Sequence, residues 1–205
     1  MLQAALRVSY TSPKIMHWIT DLLIWLIQDD YTNIDLCLNE YETYIESLIQ
    51  SAVKSDFLEK SDEEKFNMGL KTPHIVFNYL DYQIWKNNRR KFDKFVFEFR
   101  NSVEHWYPQN PSKGTFPKWK HEDGVDQFGN LCLVPSNINS SFSNLDPEAK
   151  KKTFKEEVAK GSLKLREMAK LTEDAENASL KWKNEACAKH GAKMMKILEH
   201  ACGCC

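Results

Sequence analysis

Three stretches in the first ninety residues repeat apolar side chains at helical spacing, and then the period changes. Between residues 13 and 28 the apolar positions include Ile15, Trp18, Ile19, Leu22, Leu23, Trp25 and Leu26, with Pro13 near the start and Ser12 as a candidate cap. Residues 33 to 58 repeat the pattern through Ile34, Leu38, Tyr41, Ile45, Leu48, Ile49 and Val53, and "TPHIVFNYLDYQIW" does so again behind an early proline. Aromatics at this spacing are core residues before they are anything else. Next, "KFVFEFRNSVEHWYP" sets Phe95, Phe97 and Phe99 against Lys94, Val96 and Glu98, the two-residue alternation of a strand. A Pro- and Gly-punctuated loop covers 108–129, "NLCLVP" is a second short apolar run, and "SNINSSFSN" is rich in capping residues. From about residue 146 the composition turns to Glu, Lys, Ala and Leu, which gives one or two polar helices to about residue 200. Such a chain folds as a mainly α protein with a small β-hairpin. Residues near 101–107 should pair with residues near 130–135, and a helix should start near 136. The connection between the strands is too long for an ordinary hairpin, so it is expected to be functional or partly mobile.

With 205 residues the chain can bury a true core, and its 28 basic and 29 acidic residues nearly cancel. Any grip on nucleic acid must therefore come from a local patch, not from global attraction. The most apolar run, "IMHWITDLLIWLI", contains His17 and Asp21 and is too short and too polar to span a bilayer. The start "MLQAALRVSY" lacks the basic opening, apolar stretch and cleavage site of a signal peptide, so a cytoplasmic location with reduced cysteines is expected. Seven glycines and no glycine-rich phosphate loop leave a nucleotide-binding fold poorly supported.

An isolated Glu-His dipeptide says little. The ordered set here says more: Glu104-His105-x-x-Pro on the first strand, Gly-Asn130-Leu opening the second, and Asn-x-Asn139-Ser at the helix start, nine residues after Asn130. This resembles the HNH branch of the ββα-metal (His-Me finger) nucleases. More closely, "RNSVEHWYPQNP … FGNLCLVPSNINSSFSN … KKK" is similar to the C-terminal domain of GmrSD-type, type IV modification-dependent restriction endonucleases. The motif-bearing part covers about residues 95–155. The helical stretch before it resembles the segment that precedes the nuclease motif in fused family members.

The resemblance implies a division into a helical connector or interaction region (1–92), an HNH-like ββα-metal nuclease core flanked by helices (93–160), and a C-terminal helical tail with a Cys-rich end (161–205). It implies a metal-dependent endonuclease acting on DNA within a restriction or defence system against foreign or modified DNA. His105 would be the general base, since imidazole titrates near neutrality. Glu104 and Asn139 would offer oxygens to Mg²⁺ (or Mn²⁺), a hard ion that keeps several waters. Neighbours on a regular strand point to opposite faces, so Glu104 and His105 can share a metal site only if the strand twists locally there. Asn130 would tie the two strands together and hold the histidine backbone, while Asn137 is a competing helix ligand or a cap. One of Lys150, Lys151 and Lys152, with Lys150 preferred, and Arg100, five residues before His105, would contact DNA phosphates.

Fused relatives carry a ParB-like nucleotide-binding domain, and nothing in these residues supplies one. Partners to expect are DNA, a separate ParB-like nucleotide-binding subunit or a second copy meeting the apolar face of Trp18, Leu22 and Trp25, and no membrane. In the tail, Cys187-x-x-His190 and His200-x-Cys202-x-Cys204-Cys205 carry zinc-type ligands, but not in the paired spacing of zinc-bearing HNH proteins; a frayed terminus with reactive thiols is the expected reading. The rival function is a helical module that binds DNA or a partner without cutting. The joint presence of Glu104, His105, Asn130 and Asn139 argues against it, since mere binding needs neither base nor metal. RNA as substrate stays open.

Overall fold

The computed structural model describes residues 1–28, 34–112, 116–172 and 178–204. The chain opens with α1 (Leu2–Ser9), a single 3₁₀ turn over Pro13–Ile15, and α2 (His17–Gln28). Helix α3 (Ile34–Val53) runs on into a wider π turn at Lys54–Leu58, and α4 (Asp62–Met68) follows. A capping box starts α4: Ser61 Oγ accepts from Glu64 N at 3.2 Å, and Glu64 Oε2 accepts from Ser61 N at 2.8 Å.

Helix α5 (His74–Asn87) is the centre of the molecule, and every residue from Ile75 to Ile84 is buried. An amphipathic surface helix would leave one side wet; this one is enclosed all round by α1, α3, and two C-terminal helices described below. Its polar side chains are accordingly paired. Asn78 Nδ2 donates to Ser9 Oγ at 2.8 Å, and Gln83 Nε2 donates to Glu46 Oε1 at 2.9 Å. Asp81 accepts from Lys164 N at 2.9 Å, and burial pushes its carboxyl up to about 6.

Strands β1 (Ser102–His105) and β2 (Leu131–Val134) pair antiparallel, Ser102 opposite Val134 and His105 opposite Leu131. A two-stranded ribbon is marginal on its own, so its stability comes from cores on both faces. Val103, Leu131 and Leu133 pack on Phe77 of α5. Cys132 and Val134 face a second core with Trp106, Trp119, Phe142 and Trp182. Fully burying each large side chain there contributes roughly 1.5–3 kcal/mol. Helix α6 (Ser136–Phe142) follows β2 directly. Then come α7 (Pro147–Thr153), capped by Asp146, and the short α8 (Lys155–Lys160). The last elements are α9 (Leu163–Leu171), α10 (Ala178–Lys181) and α11 (Cys187–Ala201).

The mainly helical architecture, the pairing of the two hairpin segments and the helix start at 136 match the expectations from sequence. Several local expectations do not hold. Phe95, Phe97 and Phe99 form no strand: Phe95 is buried and Phe99 exposed, no strand among the described residues pairs with this stretch, and β1 begins only at Ser102. The segment expected as a tail supplies core helices instead, because Leu163, Met194 and Leu198 pack in the same cluster as Leu6, Ile49 and Leu80. On α2, Trp18, Leu22 and Trp25 turn inward, with Trp25 stacked on Tyr44 at 4.9 Å. The face left open carries Ile19, Leu23 and Ile27, with Ile15 exposed in the turn before the helix. No helix among the described residues is long and apolar enough to cross a membrane.

Candidate active site

His105 ends β1 on the face opposite Glu104. Its Nε2 lies 2.6 Å from Oδ1 of Asp126. The other carboxylate oxygen, Oδ2, lies 2.5 Å from Nδ1 of His121, whose Nε2 is 3.2 Å from Oδ1 of Asn67 on α4. One carboxylate is thus shared by two imidazoles. The His105 side chain is 11% exposed and that of His121 46% exposed, so the array runs from a nearly enclosed ring to an open one. Burial works to raise the Asp126 carboxyl, but the hydrogen bonds and charges of His121 and His105 outweigh it, and the group sits below its ordinary value. It is a carboxylate at neutral pH. A carboxylate only accepts, so it fixes Nε2 of His105 as the protonated nitrogen and leaves Nδ1 with the free lone pair.

Asn130 holds this arrangement together. It is fully buried, and its carboxamide makes four hydrogen bonds. Oδ1 accepts from Tyr107 N at 2.9 Å and from Trp182 Nε1 at 3.0 Å, while Nδ2 donates to Tyr107 O and Val125 O, both at 2.9 Å. Tyr107 lies two residues beyond His105, and Val125 precedes Asp126. The Asn130 side chain therefore joins the strand carrying one imidazole to the loop carrying the carboxylate. Its approach to α11 is tight: a Cβ on Gly129 would sit 2.2 Å from the backbone oxygen of Cys187, so only glycine fits there.

Glu104 keeps the alternation of a regular strand and turns to the other face, so it does not converge with His105. Its Oε1 accepts from Lys150 Nζ at 2.9 Å, and the same ammonium donates to the backbone oxygens of His105 (2.5 Å) and Trp106 (3.2 Å). Lys150 is completely buried, and burial lowers its pKa against the opposing pull of Glu104. This corrects its expected role: an enclosed ammonium with three acceptors cannot reach a DNA phosphate, and Lys150 fastens β1 to α7. Arg100 is corrected for the same reason. It is 2% exposed and donates to the Lys160 carbonyl at 3.1 Å, with Glu98 Oε2 at 3.5 Å.

Asn139 is half-buried on α6, and its Nδ2 donates to Ser102 Oγ at 2.5 Å. Ser102 and Glu104 share the strand face turned away from His105, so Asn139 and Glu104 do not meet His105 in one metal site. Oxygen donors are the type Mg²⁺ takes, but Glu104 is committed to Lys150 and turned from His105, so this pair does not fit an ion serving that histidine. Asn137 is exposed, and its backbone oxygen accepts from Ser141 Oγ at 2.8 Å. Among the described residues no three His, Cys, Asp or Glu side chains converge to hold a metal. In the tail, Cys187 and His190 are buried while His200 and Cys204 are exposed; Cys205 lies outside the described residues.

Sequence reasoning missed Asp126 and His121. The signal was there in "KWKHEDGVDQFGN", a run of titratable side chains inside a connection already marked as too long to be idle.

A hairpin followed at once by a helix thus sets two imidazoles on one carboxylate at the end of its first strand. The chain belongs to the family of GmrSD restriction endonucleases: residues 49–197 match the model of their C-terminal domain. It is therefore a nuclease-type domain. No curated protein and no solved structure matches it.

Proposed function

We propose that the chain is a metal-dependent endonuclease of HNH type that hydrolyses phosphodiester bonds in DNA, as the nuclease part of a defence system against foreign or modified DNA. The observation that carries this reading is the shared carboxylate of Asp126 on His105. With Nε2–H directed at Asp126, Nδ1 of His105 takes a proton from water as that water attacks phosphorus. Asp126 then stabilises the imidazolium and keeps the ring from turning. His121 holds the far oxygen of Asp126, so the carboxylate cannot swing away from His105. Asn130 acts only through backbone, by fixing the spacing of Tyr107 and Val125. The bond from phosphorus to the leaving oxygen breaks as the water attacks. Glu104 and Asn139, the donors expected for Mg²⁺ or Mn²⁺, lie on the strand face turned away from His105, with Glu104 held by Lys150, so an ion on that pair would not reach the water that His105 activates.

Nicking of supercoiled plasmid by the purified chain, with Mg²⁺ and with EDTA, tests this directly. His105→Ala should abolish metal-dependent nicking while leaving folding and DNA binding intact, with a rate loss of ~10²–10⁴ for the missing base. Excess Mg²⁺ should not rescue His105→Ala. If His105→Ala nicks at the wild-type rate, the chain is a binding module on a nuclease fold.

A further inference from the structure

Both cations expected to meet DNA are buried, which leaves open what surface holds the phosphates. A groove of about 960 Å³ lies between α3, α5 and α11. Lys189, Lys193 and Lys196 project into it from one stripe of α11, and Lys86 faces them from α5, with His200 at the end. Spacings of four and three residues place the α11 lysines above one another on a single helix face.

Charge does not cancel inside the groove. Glu46 is the one acid in its wall, and it is taken up by Lys86, at 3.0 Å from Oε2. Lys193 is paired outside the wall with Glu167 at 3.2 Å. Lys189 and Lys196 have no ion-pair partner among the described residues. The carbonyl ends of α5 and α11 bring about half a negative charge each, less than the two unpaired ammoniums supply. In a chain of net charge −1 this is a local surplus of the kind that attracts a polyanion.

The helix that lines the groove also packs against the candidate active site. Gly191, between Lys189 and Lys193, packs directly on the backbone of Gly129, whose neighbour is Asn130.

We propose that this groove binds the sugar–phosphate backbone of nucleic acid, with Lys189 and Lys196 making direct phosphate contacts. This deepens the endonuclease reading by naming the surface that holds the substrate. It is tested by binding alone, so a chain that binds through the groove but never cuts keeps this inference and loses that reading.

The test is fluorescence polarisation of a labelled 20-mer, single-stranded and duplex in separate arms, with the full chain in EDTA over a salt series. Lys189→Glu/Lys196→Glu should weaken binding at least about tenfold at low salt. It should flatten the slope of log K against log salt by about 1.4 for single strand and about 1.8 for duplex, the loss of two phosphate contacts. A matched Lys118→Glu/Lys170→Glu variant, away from the groove, should retain the wild-type slope, and all variants should melt at the wild-type temperature. The arm with the larger loss identifies the form of nucleic acid held. Wild-type affinity and slope in the groove variant overturn the proposal. So does an equal loss in the matched control, which would mean only diffuse attraction.

Discussion

Replacing Asn130 by alanine should unfold and inactivate the protein together, for a reason that can be counted. The substitution removes four hydrogen bonds at a site with no access to water, and leaves Tyr107 N, Tyr107 O, Val125 O and Trp182 Nε1 without their partner. Each stranded polar group costs about 1–3 kcal/mol. The four are neighbours, so their costs do not simply add, and a loss of about 4 kcal/mol or more is expected. At a urea dependence of about 2 kcal/mol per molar, the midpoint falls by about 2 M. Asn130→Asp separates the two halves of the loss: it keeps the acceptor for Tyr107 N and Trp182 but brings a second acceptor against the Tyr107 and Val125 carbonyls. It should lie close to alanine in stability. The assay is urea unfolding followed by tryptophan fluorescence, since Trp106, Trp119 and Trp182 all lie in this core, run beside plasmid nicking. An alanine variant that unfolds within 1 kcal/mol of wild type would refute the idea that this side chain joins the His105 strand to the Asp126 loop.

Asp126→Asn should cut the nicking rate by about 10²-fold or more with little change in KM or melting temperature, because the amide no longer fixes which nitrogen of His105 carries the proton; an unchanged rate would remove Asp126 from the mechanism. Lys150→Met should cost about 3–5 kcal/mol by stranding the Glu104 carboxylate and two carbonyls, and Glu104→Gln/Lys150→Met should be less damaging than the single change. If Lys150→Met instead weakened DNA binding alone, at full stability, the account of it as a buried fastening would be wrong. His190 is buried with neither ring nitrogen bonded, and burial, with Lys164 and Lys193 nearby, pushes its pKa down to about 2. The unfolded ring titrates near 6.5, so its share of stability is complete above about pH 6.5 and is lost as pH falls, by about 1.4 kcal/mol at pH 5.5. His190→Phe should flatten that acid limb in thermal melts between pH 7 and 5, and a limb of wild-type steepness would show that His190 is not its source.

What could be read from the chain, and what could not, follows from the range of the interactions. Helical periods through Ile45, Ile49 and Val53 are local, and so is the swap to strand, cap and helix around Asn130, Pro135 and Ser136. Those elements were legible because each is decided within a few residues. The partners of charged side chains are not local. Glu104 was expected to help hold a metal with His105, yet its nearest charge is 46 positions away on α7, and no spacing rule announces that Lys150 will be enclosed by it. His105 meets Asp126 only because a loop of some twenty residues folds back on Asn67 and α4. The same logic explains why a stretch read as a polar tail is core. On α11 the charged residues Lys189, Lys193 and Lys196 hide an inner stripe of His190, Met194 and Leu198, and composition averages over the two faces. The wet stripe is the one proposed to hold nucleic acid, and the dry stripe closes the fold behind Asn130. One helix thus serves binding on its outside and the positioning of the site on its inside, so a substitution at Gly191 should disturb both, whereas one at Lys196 should disturb binding only.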